Sequence, residues 1–221
     1  MIQTVLLTGF EPFNGATINP AWEAVRALEG WEGQVGEHRF RVEVRQLPCV
    51  FGQAIEDLDA LVDELHPDVV IAVGQAGGRS EISVERVAIN VDDASIFDNG
   101  GQQPVDASIA PDGPAAYFST LPIKAIVRAL RAHGLVAGVS QTAGTFVCNH
   151  VFYGLMHHAA RQPHPIKAGF VHVPFLPEQA AARADAPPSM ALDDIIAGIK
   201  LAVEVTVSVD ADVIEVGGAT H

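Results

Sequence analysis

The amino-acid sequence predicts an α/β fold, a three-layer α/β/α sandwich around a mostly parallel twisted sheet. Two patterns carry that expectation. Short apolar runs of strand length, such as Val69-Val-Ile-Ala-Val73, alternate with longer segments whose apolar residues recur at helical spacing. Strand, helix and strand in that order imply a right-handed crossover, which sets consecutive strands parallel in one sheet.

The first strand occupies the stretch from Met1 to Phe10 around Val5-Leu-Leu, and Gly9 ends its apolar core. The loop Phe10-Glu-Pro-Phe-Asn-Gly15 then sets two phenylalanines at the strand's carboxyl end, as plugs between loop and sheet or as walls for a ligand. Asn19-Pro20 is an N-cap and first-turn pair, so a helix is expected from Pro20 to about Leu28. Phe40-Arg-Val-Glu-Val-Arg45 alternates with period two, a strand with one covered face near a sheet edge. Phe51, Ile55, Leu58, Leu61, Val62 and Leu65 keep helical spacing up to His66-Pro67, and Asp68 to Gly74 is the clearest central parallel strand. Gly74-Gln-Ala-Gly-Gly-Arg79 leaves that strand at the edge where open α/β sheets bind ligands. It has neither the spacing nor the lysine of a phosphate-binding loop, and reads as a close-packed turn in which Gln75 can meet a neutral polar ligand.

Ile82 and Val84, then Val87, Ile89 and Val91, form two alternating apolar sets interrupted by Glu85-Arg86. Glu85 is either a solvated charge or a carboxylate held at a site. Residues 92–111 are polar and turn-rich, and a loop of that length goes with function or assembly. A helix from Pro122 to Leu130 is stopped by Gly134, and Val136 to Ser140 is a short buried strand. Lys167 to Pro174 is another, with His172 near its end on the face of Phe170, followed by the rigid turn Pro174-Phe-Leu-Pro177. A last helix spans about Leu192 to Val207, with Asp193 and Asp194 favourable in its first turn.

At 221 residues the chain is expected to form one domain, residues 1–221, with a full core. Its 48% hydrophobic and 18% charged residues exclude a disordered chain, and its net charge of −14 repels nucleic acid and anionic membranes. Two cysteines, Cys49 and Cys148, without a basic, apolar leader suggest a reducing, cytoplasmic setting and no disulfide framework. No run reaches the about 18 uninterrupted apolar residues of a membrane span. No metal is expected among the 9 histidines: His157 and His158 are adjacent, Cys148 and His150 supply two ligands, and no HExxH occurs.

Chemistry centres on Ser140-Gln-Thr-Ala-Gly-Thr-Phe-Val-Cys-Asn-His150. Val151, Leu155 and Ala159 continue it at helical spacing, so Cys148 falls at or near a helix start. Unpaired N–H groups and partial positive charge there can lower a thiol's pKa, although a buried cysteine also serves as plain packing. Cys148, His172 and Glu85 can meet at the carboxyl edge of one sheet as nucleophile, base and orienting carboxylate.

Several segments resemble, in order and over nearly the whole chain, the pyroglutamyl-peptidase I (pyrrolidone-carboxylate peptidase) family of cysteine peptidases. They include Leu6-Leu-Thr-Gly-Phe-Glu-Pro-Phe13, Val73-Gly-Gln-Ala-Gly-Gly-Arg79, Glu85-Arg-Val-Ala-Ile-Asn90, Thr142-Ala-Gly-Thr-Phe-Val-Cys-Asn-His150 and Gly169-Phe-Val-His-Val-Pro174. The resemblance implies a triad of Glu85, Cys148 and His172 that removes an N-terminal pyroglutamyl residue from peptides through a thioester, without cofactor or metal. That substrate end is a lactam with no charged amine, so its pocket needs flat apolar walls and a few neutral hydrogen bonds. Phe10 and Phe13 fit as walls and Gln75 as a polar contact; position in the family pattern adds Ile96, Phe146 and Val147, with Cys49 beside them. The resemblance also implies a homo-oligomer, often a tetramer. Ser95 and Phe97 stand where similar relatives carry Arg and Pro, and Cys49 takes a threonine-like position. A non-catalytic binder of small cyclic amides or acyl groups would keep this pocket with an unreactive Cys148. A nucleoside-phosphorylase-like transferase would need a basic phosphate site at the Gly74 turn, where Arg79 is the sole candidate.

Overall fold

The computed structural model describes residues 2–218. At its centre β1 (Ile2–Phe10) lies parallel to β3 (His38–Leu47) on one side and to β4 (Val69–Gln75) on the other. β9 (Lys167–Val173) continues the parallel set beyond β4. β5 (Ile82–Glu85) then runs antiparallel to β9 and parallel to β8 (Ala137–Ser140), and β2 (Glu32–Val35) closes the opposite edge antiparallel to β3. The order across the seven strands is β2-β3-β1-β4-β9-β5-β8.

Side chains of a strand alternate between faces, so each central strand feeds two cores. Val5 and Leu7 with Val69, Ile71 and Val73 meet α1 (Pro20–Arg26), α3 (Ile123–Ala132) and α6 (Leu192–Ser208). Leu6, Val70 and Ala72 enter the other core with α2 (Gln53–Leu65) and α4 (Val147–Ala159). This gives the α/β/α sandwich, with strands buried on both faces as near-continuous apolar runs. Asn19 caps α1 by accepting from the Ala21 N–H at 3.1 Å. Among the described residues no helix is long and apolar enough to cross a membrane.

The interruption at Glu85-Arg86 has a topological cause. β5 ends there, and the chain leaves the large sheet to form β6 (Val87–Ile89), which pairs antiparallel with β7 (Ala116–Phe118) in a separate ribbon. Arg86 ties the two together: its N–H donates to Ser140 O and its carbonyl accepts from the Ser119 N–H, both at 2.9 Å. Three elements lack a counterpart in the sequence reading: β2, β7 and the short α5 (Pro177–Ala181). β2 and β7 have 4 and 3 residues, and α5 has 5, too few to establish a period.

Candidate active site

The sheet's carboxyl edge assembles the site. On β5, Ile82 and Val84 enter one core, which turns Ser83 and Glu85 to the opposite face. Ser83 pairs with His172 across the β5–β9 ladder, so Glu85 and the imidazole share that face. His172 Nδ1–H donates to Glu85 Oε1 at 2.8 Å, leaving Nε2 as the ring's basic nitrogen. Glu85 is fully buried, His172 nearly so, and Phe170 packs its ring 4.8 Å from the imidazole centroid.

Cys148 is the second residue of α4, whose N-cap residue Phe146 offers no side-chain cap. Its sulfur is placed against Gly74: a Cβ on Gly74 would lie 2.9 Å from Cys148 Sγ and 2.8 Å from Phe170 Cζ. Gly74 is also the ladder partner of His172. The close approach of sulfur, imidazole strand and β4 backbone therefore requires a residue without a side chain at 74. The β8–α4 loop that delivers the cysteine is held by Thr145 Oγ1, donating to Asp93 O at 2.7 Å, and by Gly144 at φ 79°, whose N–H donates to Thr142 Oγ1. Asn149, fully buried, accepts from the Ile89 N–H and donates to the carbonyls of Ile89 and Val91, tying the first turn of α4 to β6.

A side chain not singled out as a site residue in the sequence completes the arrangement. Arg79, from the glycine-rich turn after β4, donates through Nη1 to Glu85 Oε1 at 2.7 Å and through Nη2 to Thr142 O at 2.9 Å. It thus joins the buried carboxylate to the loop preceding Cys148. Its sequence signal was its place as the one cation in a glycine turn at a ligand-binding edge. A planar fork that bonds two groups at once is a property of arginine that lysine does not share. Glu85 Oε2 is buried without a hydrogen-bond partner, so Arg79 and His172 together compensate the charge through Oε1 alone.

Burial pushes the Cys148 thiol up to about 12, the Glu85 charge adding to the rise and Arg79 opposing it. Burial also lowers His172, against the hydrogen bond and charge of Glu85 and with a further lowering by Arg79. Withdrawal from water thus acts on the thiol in the direction opposite to the helix start.

The remaining predicted residues fall into two groups. Phe10 and Val147 are buried in the core, Phe10 tilted against Phe170 at 6.3 Å. Phe13, Phe146, Gln75 and Ile96 are half-buried, and Phe146 meets Phe13 at 6.1 Å and Phe51 edge-on at 5.3 Å. Cys49 is buried in the same core, and its thiol is pushed up by burial first and by Cys148 next. Ser95 and Phe97 are exposed on the 92–111 loop. His150 belongs to that loop's support: it donates to Asp92 Oδ2 and accepts from the Gly52 N–H. Among the described residues no group of three or more His, Cys, Asp or Glu is placed to hold a metal ion.

With this geometry in place, comparison with known proteins is direct. Residues 3–209 match the family model described as pyroglutamyl peptidase. The pyrrolidone-carboxylate peptidase of Cupriavidus taiwanensis is 62% identical over 219 residues, 99% of each chain, and that of Bacillus cytotoxicus is 57% identical over the full length of both. The crystal structure of pyroglutamyl peptidase I from Bacillus amyloliquefaciens superposes with a TM-score of 0.92 at 45% identity, covering 97% of this chain and 100% of that one.

Proposed function

This chain belongs to the pyroglutamyl peptidase family, and from that premise we propose how its residues divide the reaction. It is a cysteine-type omega peptidase that hydrolyses the amide bond after an N-terminal pyroglutamyl residue. Cys148 is the nucleophile, His172 the general base and then acid, and Glu85 the carboxylate that orients and charges the imidazole. The observation that supports this assignment best is the 2.8 Å bond between His172 Nδ1 and buried Glu85, on the strand whose partner Gly74 touches the Cys148 sulfur.

His172 Nε2 takes the Sγ proton as the sulfur attacks the pyroglutamyl carbonyl carbon, so thiolate and imidazolium arise together. Negative charge on the carbonyl oxygen is met by backbone N–H groups at the uncapped start of α4. The imidazolium returns its proton to the leaving amine, the C–N bond breaks, and the pyroglutamyl group remains as a thioester on Cys148. Water, deprotonated by Nε2, attacks the thioester; pyroglutamate departs and the thiol is restored. Phe13 and Phe146 supply the apolar walls beside the lactam ring with Phe10 and Val147 behind them, and Gln75 and Ile96 complete the lining. A neutral ring matches such a wall, where a charged amine would be left unpaired.

A homo-oligomer acting in the cytoplasm fits the two free thiols and the exposed apolar residues Phe97 and Val105 on the 92–111 loop. Light scattering tests the assembly. The assignment of roles is tested by turnover of a pyroglutamyl amide with Cys148→Ser and His172→Ala, each expected to fall by at least about a thousandfold. Near-normal turnover in either variant would end it.

A further inference from the structure

We propose that the open cleft beside the catalytic residues receives the peptide downstream of the scissile bond and favours an apolar or aromatic residue directly after pyroglutamate; this rests on the reading of Cys148 as nucleophile. The cleft, about 500 Å³, is lined by Phe13, Gln75, Phe175, Gln179, Ala182 and Arg183 among others. It adjoins the site through two of its lining residues. Gln75 follows Gly74, against which the Cys148 sulfur rests, and Phe13 packs on Phe146, the residue that opens α4.

An exopeptidase that closes around a terminal ring has to leave the other side of the attacked carbonyl open, because the peptide continues there. One wall of the cleft is the half-buried Phe175, whose ring reaches its position only because residue 77 is glycine; a Cβ there would collide with the ring. The guanidinium of Arg183 lies 5.4 Å from the ring centroid and bonds to Asp185, which holds one rim. On the other side Gln179 Nε2 donates to Gln75 Oε1 at 2.9 Å, fixing the amide of Gln75 where cleft and catalytic edge meet. An aromatic ring with a cation near it and an oriented amide in the same cleft suits a side chain with an aromatic or aliphatic body on an extended peptide.

Two substrates separate the cleft from the chemistry: pyroglutamyl methylamide, which reaches no farther than Phe13 and Gln75 at the cleft's inner end, and pyroglutamyl-phenylalanyl-glycine, which enters it, with pyroglutamyl-glycyl-glycine as reference. Ala182→Trp, at an exposed position, fills the cleft. It is expected to lower kcat/KM for the phenylalanyl peptide about tenfold, mostly through KM, and to leave the methylamide within about twofold. Phe175→Ala is expected to erase most of the preference for phenylalanyl over glycyl peptide. Equal losses on all substrates, no loss on any in folded Ala182→Trp protein, or no phenylalanyl preference in the unsubstituted chain would overturn the cleft assignment alone. No turnover of any substrate by the unsubstituted chain would overturn the peptidase reading and the cleft with it.

Discussion

Replacing Arg79 with methionine removes the cation from a fully buried carboxylate and keeps much of the side chain's length. At a separation of about 4 Å between charge centres and an effective dielectric near 20, the pair attracts by about 4 kcal/mol. The Arg79 side chain is 29% exposed, so water screens part of that attraction, and about 2 kcal/mol is the share that Glu85 is expected to lose. If that loss falls on the orientation of His172, kcat/KM drops about 30-fold. A second readout distinguishes positioning from mere structure. The charge of Arg79 helps to hold His172 below its ordinary pKa, so its removal raises that pKa and moves the acid limb of the kcat/KM profile to higher pH. Arg79→Lys keeps the charge but cannot reach Glu85 and Thr142 O together, so it is expected to lose less activity and leave the limb in place. Steady-state kinetics of a pyroglutamyl amide from pH 5 to 9 reads all three proteins. A fall under twofold in Arg79→Met, or a lowered rate with an unmoved limb, would refute the role.

Other consequences concern close packing and burial. Gly74→Ala puts a methyl group 2.8 Å from Phe170 Cζ and 2.9 Å from Cys148 Sγ, so about 1–3 kcal/mol of stability and most of kcat are expected to go; a variant with unchanged kinetics would contradict the contact. His172 has a lowered folded pKa, so its contribution to stability is full above about pH 6.5 and is lost as pH falls through the lowered value, with His157 acting in the same direction. Thermal midpoints measured down to pH 5 are therefore expected to fall less steeply in His172→Gln than in the parent, and equal slopes would argue against it. Asn149→Ala strands the N–H of Ile89 and the carbonyl of Val91, while the Ile89 carbonyl keeps the Val91 N–H, a loss of about 2 kcal/mol or roughly 4–8 °C in Tm. A fall under about 2 °C, read by circular dichroism, would show that other partners take over.

Much of this arrangement was legible in the sequence, for reasons that differ by element. Val69–Gln75 is buried on both faces, so its continuous apolar run declares a central strand, and α6 keeps its apolar stripe for 17 residues. The antiparallel run of β5 against β9 left no such mark, because strand direction is set by the connection and not by composition. β2, Glu-Gly-Gln-Val, lies at the sheet edge with exposed and half-buried residues, and its one structural requirement is Gly33 beneath the ring of Phe40. In the residue pattern Glu85 is a break in an alternating run, open to a solvated or a site role, and the family resemblance alone favours the site; the break is the point where the chain changes sheets, and that same change sets the carboxylate facing His172. Arg79 reads from the sequence as a cation for phosphate, since its partner lies six residues on and across a turn that no periodicity predicts. The position of Cys148 at a helix start was readable, whereas its approach to Gly74 was not, because that depends on how α4 packs against β4.

The most direct test of the account is to catch the thioester. Rapid acid quenching of the chain during turnover of a pyroglutamyl amide, followed by mass spectrometry of its peptides, is predicted to find one pyroglutamyl group on the peptide that contains Cys148, and none in Cys148→Ala protein, which also ceases to turn over. An unmodified Cys148 peptide at every quench time, with turnover persisting in Cys148→Ala, would contradict it.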